Sequence, residues 1–129
     1  MKVCIVDPSY ETDPSRFAGI GASWLRWQCE QEPTCELVSA QSAEVILVTF
    51  AAPHEFGLVA KALRRLRIQP SRLVRNRKPW VFMGGGIGLS PAIADDTVDA
   101  TCVGEGVRWI KTLLGQGIEA ALHLPESRR

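Results

Sequence analysis

Long apolar runs are missing from this sequence. None approaches the roughly 18 residues that cross a bilayer, so a membrane span is excluded. An excess of one charge is missing too. The net charge is +1, and no global field steers the chain towards nucleic acid or a membrane surface. Histidine is scarce, present only as His54 and His123. The four cysteines, Cys4, Cys29, Cys35 and Cys102, show no C-x-x-C spacing, which disfavours both zinc and disulfides. Cys4 and Cys102 fall in strand-like runs, where a thiol serves as a small hydrophobe. The opening MKVCIVDPSY carries one lysine and an apolar run too short for a secretory signal, so the cytoplasm is the expected location.

Familiar nucleotide motifs are also lacking. The glycine cluster GGGIG at 84–88 does not continue as G-x-G-x-x-G, because Leu89 stands where the third glycine is needed. No Gly-Lys-Ser/Thr follows it, so a phosphate loop is excluded as well. Ser9, Ser90 and Cys102 have no histidine near them in sequence, and no nucleophile with its base can be assembled. Catalytic residues are therefore not assigned.

What is present is an α/β pattern in a single domain spanning residues 1–129. Val3–Val6, Cys35–Val38, Val45–Phe50, Trp80–Met83 and Ala100–Val103 read as strands. The run Val45–Phe50 is apolar on both faces, as a central parallel strand requires. PSYETDPS reads as loop, with helix following to about Glu30 behind Ser15 as cap. A second helix spans about His54 to Ile68, a short turn of helix follows at 71–74, and Ser90-Pro91 can start another. The last helix runs from Val107 to Leu114, ended by Gly115 and Gly117, and residues 123–129 read as a frayed tail. The order predicts a three-layer sandwich around a mainly parallel five-stranded sheet, Rossmann-like and of flavodoxin type.

In such sheets ligands bind beyond the carboxyl ends of the strands. Four strand ends draw attention: DPSY at 7–10, TFAAP at 49–53, GGGIG at 84–88 and GEG at 104–106. Small residues there either make the tight turns of the fold or let backbone approach a ligand. The candidate cleft residues are Asp7, Pro8, Ser9, Thr49, Ala51, Gly84, Gly85, Gly86, Gly104 and Glu105. A separate signal is the run from Lys61 to Lys78. It holds eight of the fifteen basic residues, Lys61, Arg64, Arg65, Arg67, Arg72, Arg75, Arg77 and Lys78, with no acid between them. It is either a solvated face or a surface for an acidic partner, a phosphate-rich ligand or RNA. The tryptophans Trp24, Trp27, Trp80 and Trp109 read as core by default, an exposed one marking an interface.

The stretch from Pro79 to Leu114 carries Gly84-Gly85, Ser90-Pro91, Val98-Asp99 and Gly104-Glu105-Gly106. In this it resembles the cobalamin-binding-type domain that precedes the catalytic core of many radical S-adenosylmethionine enzymes. The likeness spans nearly the whole chain, with the specific residues in the last third. It implies a Rossmann-like domain of cobalamin-binding type and a cobalamin or nucleotide-like ligand. In that family Gly-Glu-Gly marks the turn into the final helix, where Glu105 would stabilise the first turn. Cobalamin domains that supply an imidazole to cobalt carry Asp-x-His-x-x-Gly after the first strand. Here Asp7 is followed by Pro8 and Ser9, so that histidine ligand is absent. The iron–sulfur spacing C-x-x-x-C-x-x-C is absent too, and only 23 residues follow Gly106. Radical chemistry would then belong to a cluster-bearing partner chain or another domain. The other readings are a cofactor-free interaction protein docking through the 61–78 surface, and a small enzyme or sensor for a different nucleotide-like ligand.

Overall fold

The structure, a computed structural model, describes residues 1–13, 19–49, 56–85, 96–104 and 106–128, with Phe56 described in backbone only. Five strands run parallel: β1 (Lys2–Val6), β2 (Glu36–Leu37), β3 (Val45–Thr49), β4 (Trp80–Gly84) and β5 (Ala100–Cys102). A sixth, β6 (Ser127–Arg128), pairs antiparallel with β5. The sheet order is β2-β1-β3-β4-β5-β6. The first five strands thus follow the 2-1-3-4-5 order of flavodoxin-like doubly wound sheets, compatible with a Rossmann-like fold.

The helices are α1 (Pro8–Thr12), α2 (Ile20–Gln31), α3 (Phe56–Arg65), α4 (Arg72–Arg75), α5 (Val107–Gln116) and α6 (Ile118–Leu122). Alternation along the strands sorts side chains to two faces. Val3, Val45, Leu47, Phe82, Ala100 and Cys102 pack with Leu25 and Cys29 of α2 and Trp109, Ile110, Leu113 and Leu114 of α5. On the other face Val6, Ile46, Val48, Val81 and Met83 pack with Val59, Ala62 and Leu63 of α3. Burial on both sides explains why β3 is apolar throughout: Val45, Ile46, Leu47 and Val48 are all buried. No helix among the described residues is long and apolar enough to cross a membrane.

The structure departs from the sequence reading in three places. The stretch after β1 is helical, because Asp7 caps α1 by accepting from Ser9 N at 3.1 Å and Pro8 occupies its first turn. Gly115 lies inside α5, and only Gly117, at φ 98°, ends it before α6 begins. The C-terminal tail is no frayed end. Trp109 Nε1–H donates to Ser127 Oγ at 2.7 Å, Ser127 Oγ donates to Ala121 O at 2.7 Å, and the Ser127–Arg128 backbone extends the sheet. The expected five strands are therefore six. The short helix expected at Ser90-Pro91 and the cap at Ser15 lie outside the described residues.

Candidate ligand-binding cleft

The carboxyl ends of β1, β3, β4 and β5 meet the first turns of α2 and α5 around a cleft of about 530 Å³. Strand register explains this gathering. Thr49 pairs with Gly84, and Gly84 pairs with Cys102, so three strands end level with one another. Of the residues singled out in the sequence, Asp7, Thr49, Gly84, Gly85 and Gly104 line the cleft. Pro8 and Ser9 are buried in α1 and are not among its lining residues, because the helical turn after Asp7 carries them away from the rim. Ala51, Gly86 and Glu105 lie outside the described residues. Helix α5 begins at Val107 with Gly106 as its N-cap.

Two glycines at the rim have separate physical reasons. Gly104 adopts φ +93°, which L side chains rarely adopt, although a Cβ there would meet nothing within 4 Å. At Gly84 the constraint is space: a Cβ would lie 3.3 Å from both Cys102 Cβ and its carbonyl oxygen. Both glycines serve the fold as well as the cleft.

The polar group expected to greet a ligand, Asp7, is already engaged. Its Oδ1 accepts from Ser9 N at 3.1 Å, and its Oδ2 accepts from Gly19 N at 2.8 Å. The carboxylate thus ties the end of β1 to the start of α2. The other wall carries no sequence motif. Gly19, Ile20, Gly21, Trp24 and Leu25 line it from α2 and the residue before it, and Trp109 and Ile110 from α5. The helical spacing of Trp24 and Leu25 was visible, but both looked like ordinary core. Trp109 packs edge-on to Phe82 at 5.3 Å, and Phe82 stacks with Trp80 at 5.6 Å, forming an aromatic row below the cleft.

Cys102, also lining the cleft, holds a thiol that burial and then Glu126 push up to about 11. It stays neutral at pH 7 and is a poor nucleophile. Burial and the adjacent Cys35 push Cys29 to about 12. The cysteines are free thiols. Among the described residues no cluster of three or more His, Cys, Asp or Glu is placed to hold a metal ion.

The basic run divides in the structure. Lys61, Arg64, Arg65 and Arg67 are exposed on and after α3, Arg72 is half-buried, and Arg77 and Lys78 are exposed. Arg75 is not part of a surface. It is 5% exposed, and its guanidinium donates to Pro79 O, Gln69 O, Pro70 O, Thr97 O and Asp99 Oδ2 at 2.8–3.2 Å. Buried carbonyls around it need donors, and a fork with five N–H groups satisfies them together.

Comparison with protein-family models, with curated proteins and with solved structures found no match.

Proposed function

We propose that the chain is a binding module for a cobalamin or another nucleotide-like ligand, held at the carboxyl edge of its sheet. The observation that carries this reading is the cleft itself. It lies where open α/β sheets place ligands, it is walled mainly by apolar and aromatic side chains, and glycine backbone lines one rim. A volume of about 530 Å³ suits a nucleotide-sized group, such as the nucleotide portion of a cobalamin.

The donor set bears on the cofactor. Among the described lining residues there is no imidazole. The described lining residues would thus hold cobalamin by shape and apolar contact, and none of them offers an imidazole to cobalt. Bound cobalamin supplies alkyl or methyl transfer chemistry. Asp7 fixes the start of α2 beside the ligand, and Trp24, Phe82 and Trp109 exclude water from its apolar part. The likeness to domains of radical S-adenosylmethionine enzymes supports placing the reaction itself on a cluster-bearing partner or another domain.

The test is incubation with hydroxocobalamin, desalting and an absorption spectrum, with thermal shifts measured in parallel for adenine and flavin nucleotides. Corrin bands retained near one equivalent are expected, and they should vanish in Gly21→Leu. A Cβ at Gly21 lies 3.7 Å from Thr49, so the longer side chain fills the cleft without a clash in its first atom. No retention of cobalamin and no shift with any nucleotide would refute the reading, as would binding that Gly21→Leu leaves unchanged.

A further inference from the structure

Helix α4 and the residues after it present an unusual surface at the opposite edge of the sheet, where β4 begins at Trp80. Leu73 is 82% exposed and Val74 70% exposed, side by side on a helix of four residues. Arg72 precedes them on the helix, and the exposed Arg77 and Lys78 follow it in the chain. Neither Arg72 nor Arg77 forms an ion pair among the described residues. Both line a hollow of about 490 Å³ shared with Leu73, Asn76, Trp80 and Asp99. The Asp99 carboxylate in this hollow is neutralised from behind by Arg75 at 3.1 Å and by Val81 N–H at 2.8 Å. The backbone carbonyl of Asp96 accepts from Arg72 N–H at 2.9 Å, so one exposed acidic residue adjoins the helix start.

We infer that this surface docks an acidic segment of a partner protein, with carboxylates entering between Arg72 and Arg77 and apolar side chains covering the exposed Leu73 and, on the next face, Val74. Charge complementarity selects the occupant. The patch is cationic around an apolar centre, and arginine and tryptophan are each enriched at protein interfaces. It is also held in place beforehand. Arg77 lies 4.8 Å over the Trp80 ring, which fixes one guanidinium, and the five bonds of Arg75 anchor α4 to the entries of β4 and β5.

The alternatives fit less well. RNA recognition uses open aromatic faces for stacking, and the Trp80 ring is engaged by Phe82 and Arg77. Two-fold contact with a second copy would set Arg72, Arg77 and Lys78 against themselves. Two apolar side chains on one turn of helix give a membrane little to hold. The site is independent of the cleft, which lies at the other end of β4.

Fluorescence anisotropy with a labelled synthetic peptide of alternating glutamate pairs and leucines tests the inference. The whole chain should bind it, more weakly as ionic strength rises. Leu73→Ser/Val74→Ser and Arg72→Glu/Arg77→Glu should each weaken binding about tenfold. Arg64→Glu/Arg67→Glu, on the neighbouring basic surface, should change it less than about twofold. Circular dichroism and melting curves verify that each variant is folded. No binding of the peptide overturns the inference. So does an equal loss in the Arg64/Arg67 pair, or tighter binding through the same residues of a random-sequence RNA or of phosphatidylserine vesicles.

Discussion

Replacing Arg75 with methionine removes five hydrogen bonds at once while keeping the bulk of the side chain. Left behind are the carbonyls of Gln69, Pro70, Pro79 and Thr97, together with the Asp99 carboxylate, which keeps only its bond from Val81 N–H among those described. The pair is deeply buried, with side-chain exposures of 1% for Arg75 and 8% for Asp99. Removing one partner of such a pair costs about 3–5 kcal/mol, because the other charge stays buried without compensation. For a domain of this size that is a drop of about 12–20 °C in Tm. Urea denaturation of Arg75→Met beside Arg67→Met, an exposed arginine, measures it directly. Arg75→Lys should recover little, since a single ammonium cannot reach acceptors spread over five directions. Arg75→Met/Asp99→Asn should recover part of the loss by removing the stranded charge. A loss below about 1 kcal/mol for Arg75→Met, or one equal to that of Arg67→Met, would show that the buried fork does not hold this region together.

Three further outcomes are expected. Ser127→Ala leaves the Trp109 indole N–H without its acceptor and should cost about 1–3 kcal/mol, read as a lower urea midpoint; an unchanged midpoint would mean the tail is not anchored there. Asp7→Ala removes the cap of α1 and the tie to Gly19 and should cost about 1–2 kcal/mol, with weaker ligand retention; wild-type values for both would contradict its positioning role. Cys102 and Cys29 have thiols raised from 9.0 to about 11 and about 12, so the folded state keeps protons that the unfolded state releases above pH 9. Stability should be level below that pH and fall as pH rises towards 11–12, a trend that denaturation midpoints across the alkaline range would show or deny.

Much of the sheet was legible in the sequence because its strands are buried on both faces. Val45 to Val48 is an unbroken run of apolar, mostly β-branched residues, and Trp80 to Met83 is an apolar run closed by Pro79 and Gly84. Helix α1 was equally signalled, by Asp7 as cap and Pro8 behind it, but a run of only five residues has no hydrophobic period to set against two prolines. Strand β6 has two residues and therefore no period at all. Its place is fixed by the Trp109–Ser127 bond, a contact across 18 positions that no local pattern encodes. The glycine rim of the cleft could be read from strand ends alone. The opposing wall of Ile20, Trp24 and Trp109 could not, because an aromatic on an amphipathic helix looks the same whether it meets core or cavity. Arg75 is the sharpest case. Charge counting places an arginine on a surface, and only the convergence of four backbone carbonyls and Asp99 explains its burial.

The two borders of the sheet are β2 and β6, each of two residues. Among the described residues, a neighbouring molecule seeking to continue the ladder would find only two-residue edges, and would meet exposed Glu36 on one and Arg128 on the other. Such brevity guards a strongly apolar interior against fibril-like stacking. Ser127–Arg128 covers the outer edge of β5, and chains that lose this pairing should come out of solution sooner on warming than their loss of melting temperature alone would suggest.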